Sequence, residues 1–348
     1  MGATKSYNEK ILWLSIIQGW AVLLVLIGHV NTYTYANSSD ELYPLGWWIH
    51  RFCYAFHMPL FMFVSGGLLY LTRLSKDWTT MSLYKDKAIR LLIPYIAFSV
   101  IGFLIKAPFS SISKRSVDIS FQGFLNGFFD PVHGPLVELW FIGTLIWLML
   151  LFPLYKYFLK NPFTEIFFLI ITLIPFVLGL NIEIRGWFNI QGIFTYAFYF
   201  FAGILFFKYD IIRYISGFKY AIILTFLFVC SVLYMGNIKI LQALLGILMS
   251  FSWGKLISHI YPNLFHFHRN HAFQIFLFGL FPQMFVELII WSKFHNELLQ
   301  LPFYILSVLL ALFFSVYLVK LINHIKTPWI RWCFGLKEHP NVSRSGKI

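Results

Sequence analysis

The stretch Ile11–His29 reads ILWLSIIQGWAVLLVLIGH. It is apolar over helical length, with Gln18 inside it and His29 at its far end. A transmembrane helix needs about 20 apolar residues. Polar groups within such a helix are costly and face protein or a water-filled cavity. The stretch is therefore expected to span a membrane, to anchor a helical bundle, and to bring His29 to a site of chemistry.

The whole chain carries the same signal. Its 348 residues are 59% hydrophobic and only 12% charged, about half the charge of a soluble domain. The 41 Phe suit a lipid-facing surface, and the 12 Trp and 19 Tyr suit interfacial anchors. A net charge of +13 would suggest nucleic acid in a soluble protein. Here cytoplasmic Lys and Arg explain it, and no nucleic-acid partner is expected. Cys53, Cys230 and Cys333 are too scattered for a disulfide framework or a zinc site and read as packing residues. No metal and no bound cofactor are expected.

Hydropathy marks ten candidate spans, near 11–30, 48–70, 91–107, 136–155, 163–180, 190–207, 220–236, 240–258, 272–292 and 301–322. Pro175 is expected to kink the fifth. With the N-terminus inside, 20 of the 27 Lys and Arg residues fall on inside segments, which favours two cytoplasmic termini. The expected fold is thus all-α, a polytopic transmembrane bundle of about ten spans over residues 1–325. A cytoplasmic interfacial tail, 326–348, follows, with Lys326 and Arg331 snorkelling beside Trp329, Ile330, Trp332 and Phe334. The expected location is the cell membrane, with the lipid bilayer as partner.

This topology orders the polar residues by depth at about 1.5 Å per residue. His29 comes at the outer end of the first helix, and Gln18 about two turns above the inner face. His57 lies about two to three turns below the outer face in the second. Lys87 and Arg90 stand at the inner mouth of the third helix, and Glu138 at the outer end of the fourth. The non-helical segments 31–47 and 108–135 form the longest outside loops. Their Asp40, Glu41, Asp118, Asp130 and His133, with Tyr33, Tyr35, Tyr43 and Trp47, read as an interfacial belt or as a sugar-binding surface.

Histidine is a general base near neutral pH. Taken alone, His29 reads more readily as an interfacial histidine at a helix end. Glu138 alters this, because a carboxylate in an apolar helix needs a partner and a carboxylate orients an imidazole in triads. Arg51 and Arg185 are its other candidate partners. His57 reads equally as a cavity-lining residue or as a histidine hydrogen-bonded between helices. Lys87 and Arg90, spaced i, i+3, share a helix face and can hold phosphates, or simply flank a span. Together these suggest cations that hold a phosphorylated donor inside and a histidine that activates an acceptor outside.

Four motifs carry a resemblance. They are Gly19-Trp20-Ala21 through Gly28-His29, then Phe56-His57-Met58-Pro59-Leu60-Phe61-Met62-Phe63-Val64-Ser65-Gly66. Next come Lys87-Ala88-Ile89-Arg90-Leu91-Leu92-Ile93-Pro94-Tyr95 and Leu139-Trp140-Phe141. The chain resembles the acyltransferase family 3 integral-membrane O-acyltransferases over most of its length. The resemblance implies acyl-CoA as co-substrate on the cytosolic side and a carbohydrate acceptor beyond the membrane. It implies His29 as the essential first-helix histidine, and Arg90 with Lys87 as donor contacts. Eleven positions before His29 the family usually has a basic residue, here Gln18, and three earlier an acidic one, here Ser15. The family's late motif Asn-Ser-Phe-x-Ile-Tyr-Leu-x-His corresponds to Asn270–Phe278, with Gly279 where the histidine would stand.

The expected function is transfer of an acetyl or succinyl group from cytosolic acyl-CoA to a hydroxyl of a surface polysaccharide or glycolipid. His29 would be the base, Glu138 its orienting carboxylate, and Lys87, Arg90 and Gln18 the donor contacts, with His57 lining the passage. Polysaccharide-synthesis proteins are candidate partners. The rival readings are an exporter of polysaccharide or lipid-linked sugar, and a non-catalytic membrane subunit of a surface-polymer synthase.

Overall fold

The computed structural model describes residues 2–32, 43–110, 118–180, 182, 184–234, 236 and 238–336, with side chains from Leu12 onward. Tyr33, Tyr35, Asp40, Glu41 and the end of the tail lie outside the described residues. Those described form helices and turns, with no strand among them. Pro44–Lys76, Thr80–Phe109, Lys239–Ile260 and Glu297–Asn323 are long and apolar enough to cross a membrane. Two bent pairs bring the number to six, if each pair is one span. They are Leu139–Leu150 with Phe152–Phe158, bent by 48°, and Arg269–Phe278 with Leu280–Phe294, bent by 51°. Shorter apolar helices cover Leu12–Gly28, Pro162–Val177, Gly192–Lys208 and Phe218–Tyr234. Each of the ten stretches marked by hydropathy falls on one of these helices or pairs.

The bends have covalent causes. Pro153 has no N–H to give the carbonyl of Met149, and Pro282 none for that of Phe278. Pro175 lies in the last turn of Pro162–Val177, so it helps to end that helix. Two segments expected to be non-helical carry helices. Phe121–Phe129 lies within 108–135, and its Ser120 cap accepts a hydrogen bond from the Gly123 N–H at 2.9 Å. Pro44–Tyr54 starts inside 31–47, with proline in the first turn, where its missing N–H costs nothing.

The described chain divides into two compact units, Met1–Val64 with Phe206–Lys320, and Ser65–Leu205 with Leu321–Ile348. In the first unit the helix Gly2–Gly28 is central. It packs against Pro44–Tyr54, Lys239–Ile260, Arg269–His271 and Ala272–Phe278. Trp13, Leu14, Ile17, Ala21, Val22, Val25 and Leu26 are all buried, as expected of a helix apolar on every side. Trp13 stacks on Phe207 at 5.4 Å and meets Phe251 edge-on at 5.7 Å. Phe218–Tyr234 and Lys239–Ile260 form a hairpin, tied by Trp253 Nε1 donating to Thr225 Oγ1 at 2.9 Å.

In the second unit Ile93–Lys106 packs against Phe121–Phe129, Leu139–Leu150 and Pro328–Cys333. Tyr95, fully buried, donates its hydroxyl to the carbonyl of Phe128. Residues 187–189, Trp-Phe-Asn, follow Gly186 in left-handed backbone conformation, a costly run for side-chain-bearing residues. It is held by Trp147 Nε1 donating to Trp187 O at 2.7 Å and by Asn189 Nδ2 donating to Thr144 Oγ1 at 2.8 Å. Arg331, expected to snorkel, is instead buried. Its Nη1 donates to Asn323 O at 3.1 Å, so it caps the carbonyl end of the preceding helix.

Gly66 marks a close helix crossing in the second unit. A Cβ there would lie 1.9 Å from the backbone oxygen of Phe200. Gly66→Ala is therefore expected to cost about 3 kcal/mol through overpacking, visible as a lowered thermal unfolding midpoint of the detergent-solubilised protein. An unchanged midpoint would show that the two helices separate at no cost.

Candidate functional site

The first helix ends at Gly28, and the next residue turns its ring back onto it. Both the backbone N–H of His29 and its Nδ1–H donate to the carbonyl of Val25, at 3.0 and 2.9 Å. A carbonyl only accepts, so this bond puts the proton on Nδ1 and leaves Nε2 as a basic lone pair. The chain beyond is pinned. Val30 O accepts from Tyr304 Oη at 3.3 Å, Asn31 Nδ2 donates to Glu287 Oε2 at 3.1 Å, and Thr32 O accepts from Tyr43 N at 3.0 Å. Val30 itself is packed with Val286, Trp291, Phe303 and Tyr304.

Around His29 the second helical stretch contributes three rings. His57 lies with its ring centroid 5.9 Å away and nearly perpendicular, and Tyr54 at 5.7 Å. Tyr54 touches His57 at 4.7 Å and stacks on His50 at 3.7 Å. His57 is buried, and its Nδ1–H donates to Cys53 O at 2.7 Å. The site therefore gathers three imidazoles and a phenol, with His29 half-buried and Tyr54 exposed.

The second unit holds a group of cations. Asp86 accepts Arg73 Nη2 at 3.2 Å and Arg90 Nε at 3.1 Å, and Lys87 Nζ stands at 3.8 Å. Arg73 also lies over the Trp78 ring, 3.6 Å from its centroid. Three positive charges on one carboxylate leave a net positive site that suits an anion. Arg90 sits in a π-helical turn, Ala88–Leu92, where the Ile93 N–H reaches back five residues to Ala88 O. Pro94 explains the widening: it has no N–H for the carbonyl of Arg90 and its ring would crowd it.

The other expected site residues are placed as follows. Glu138 stands at the start of Leu139–Leu150 in the second unit, and its side chain does not cap that helix. The expected His29–Glu138 pair thus joins residues of different units. Arg51 is engaged within the first unit, donating from Nη2 to Val232 O at 2.6 Å and lying over Trp47 at 5.1 Å. Arg185 is exposed. Gln18 is half-buried on the first helix, and Ser15 donates its hydroxyl to Leu12 O at 2.7 Å. At the next position, Gly19, the segment 265–269 presses close. His268 Nε2 donates to Gly19 O at 3.2 Å, and a Cβ on Gly19 would lie 3.0 Å from Arg269 Cβ. A side chain at Gly279 would meet Leu26, whose Cδ2 lies 2.5 Å from the Cβ position. His271 is no stand-in for a histidine there, because eight helical residues separate them by about 12 Å.

His50, Tyr54, Arg73 and Asp86 were not among the expected site residues. His50, Tyr54 and His57 recur at i, i+4 and i+7, the spacing of one helix face, so the pattern was available in the sequence. Arg73 had no such signal, since it comes from the turn before Thr80–Lys87 and meets Asp86 only through the fold.

A family profile described as an acyltransferase domain matches residues 11–320. Nodulation protein NolL of Mesorhizobium japonicum is 28% identical over 117 residues, covering 32% of this chain and 30% of the relative. Nodulation protein NolL of Sinorhizobium fredii is 25% identical over 151 residues, covering 43% and 38%. The similarity thus spans well under half of each of these two relatives. No solved structure matches.

Proposed function

The chain belongs to the acyltransferase family 3 proteins, and from that premise we propose that it transfers an acyl group, acetyl or succinyl, to a hydroxyl of a surface polysaccharide or glycolipid. The donor in this reading is acyl-CoA, and the site of action is the cell membrane. The observation that carries the proposal is the state of His29. It is a half-buried imidazole with Nδ1 committed to Val25 O and Nε2 left as a base.

In the proposed reaction Nε2 of His29 takes the hydroxyl proton as the oxygen bonds to the thioester carbonyl carbon. The carbon–sulfur bond then breaks, and the departing thiolate takes that proton from His29 and leaves as the thiol. Arg90 and Lys87, with Arg73 beside them, hold donor phosphates. Gln18 and His57, both of the first unit, line the route.

The proposed topology has ten spans with both termini cytoplasmic, supported by the Lys and Arg distribution and by the ten apolar helices and helix pairs. Mass spectrometry of surface glycans, from cells with and without the protein and fed an isotope-labelled acyl precursor, tests the function. A labelled ester that appears only with the protein is expected. Equal acylation in both, with export of the polymer depending on the protein, would overturn the reading.

A further inference from the structure

His57 is buried to 1% exposure, yet among the described residues its Nε2 has no hydrogen-bond partner. The other ring nitrogen is fixed, because Nδ1–H donates to Cys53 O at 2.7 Å. Nε2 is therefore a lone pair without a donor. A buried acceptor left in this way is destabilising, and where it persists it commonly serves water or chemistry. The titratable groups against it are His29 from the first helix, and Cys53, Tyr54 and His50 from its own stretch.

His29 has the same arrangement: Nδ1 tied to its own helix and Nε2 a lone pair. Two such imidazoles, 5.9 Å apart between centroids, cannot donate to one another while both are neutral. Two imidazolium charges at that distance would repel. The stable intermediate state carries one added proton for the pair, as in other coupled sites. Tyr54 lies against both rings and holds the arrangement together.

We infer that His57 is the positioning partner of His29, its Nε2 serving as the second seat of the one proton that the two rings hold during turnover. The exchange runs through one water between the two rings, which is within the reach of general-base catalysis. This rests on the reading of His29 as the base of an acyltransferase. His29 abstracts the hydroxyl proton, His57 shares it while the carbon–oxygen bond forms, and the pair passes it to the thiolate, which leaves as the thiol when the carbon–sulfur bond breaks. His57 thereby does within the first unit what a carboxylate does for the histidine of a triad.

The test uses the full chain in lipid nanodiscs with 15N-labelled histidine. NMR reads which ring nitrogens carry protons as the pH is lowered, with assignment by His50→Gln and His29→Gln. A single step in which the Nε2 signals of His29 and His57 change together is expected. A His57 signal that stays fixed while His29 titrates would overturn the inference, whether or not the protein is active. In parallel, His57→Phe is expected to lower kcat about 100-fold with acetyl-CoA as donor, leaving KM within about twofold. His57→Gln keeps an acceptor in the ring's place and is expected to recover about tenfold of that loss. Equal losses in the two variants would also count against it. If the wild-type protein transfers no acyl group at all, the proposed function falls, while the spectroscopic arm still decides the pairing.

Discussion

Replacing His29 with Ala is expected to lower kcat for acyl transfer by about 1,000-fold or more, the scale for removal of a general base. The expectation follows from the atoms available. Val25 O holds Nδ1–H, so the basic nitrogen has one orientation and one tautomer. The three residues that follow are fixed by Tyr304, Glu287 and Tyr43, which keeps the ring from drifting with its backbone. The same structure limits collateral damage. His29 is half-buried, and its truncation removes ring contacts with Tyr54 and His57 but no buried ion pair. The variant is expected to reach the membrane in normal amount with unchanged helical circular dichroism. Initial rates with radiolabelled acetyl-CoA, set against that abundance, give the measurement. Full activity in the Ala variant would remove His29 from the chemistry and with it the proposed mechanism.

Much of this site could be read before folding, for a physical reason. His29 ends an apolar stretch, and Lys87 and Arg90 open another, so hydropathy alone marks them as polar groups at span boundaries. The bends after Leu150 and Phe278 coincide with Pro153 and Pro282, whose missing N–H acts locally, whereas the kink expected at Pro175 falls in the last turn of an unbroken helix. What could not be read is who meets whom. Asp86 gathers Arg73 from 13 residues upstream. The face-sharing of Lys87 and Arg90 gave no hint of a common carboxylate between them and that arginine. Arg331 shows the limit from the other side. Its flanking Trp residues suggested an interface, whereas it is buried with Nη1 donating to the carbonyls of Asn323 and Ile325. Left-handed backbone at Trp187, Phe188 and Asn189 contradicts local preference altogether. Tertiary hydrogen bonds from Trp147 and Asn189 maintain it.

Arg90→Ala is expected to raise KM for acyl-CoA by about 10- to 100-fold, with a smaller effect on kcat. A charge-assisted hydrogen bond to phosphate is worth about 1.5–3 kcal/mol, and each 1.4 kcal/mol is about tenfold in affinity. Among the described residues, Arg90 meets Asp86 through Nε, at 3.1 Å. A guanidinium used on that edge still presents its terminal nitrogens to an incoming anion. Removing it leaves Asp86 paired with Arg73 at 3.2 Å and near Lys87 at 3.8 Å, so the carboxylate is not stranded and the turn keeps its shape. Arg90→Lys separates charge from geometry. It retains the charge and loses the planar fork, so its KM is expected to fall between those of wild type and the Ala variant. Added salt supplies a third axis. The cluster is partly exposed, so raising ionic strength should raise the wild-type KM and raise that of the Ala variant less. Acyl-CoA titrations of the three proteins at two salt concentrations measure all of this. A KM that is the same in wild type and Arg90→Ala would mean that the donor does not use this cluster. The net positive charge around Asp86 would then serve only to flank the membrane.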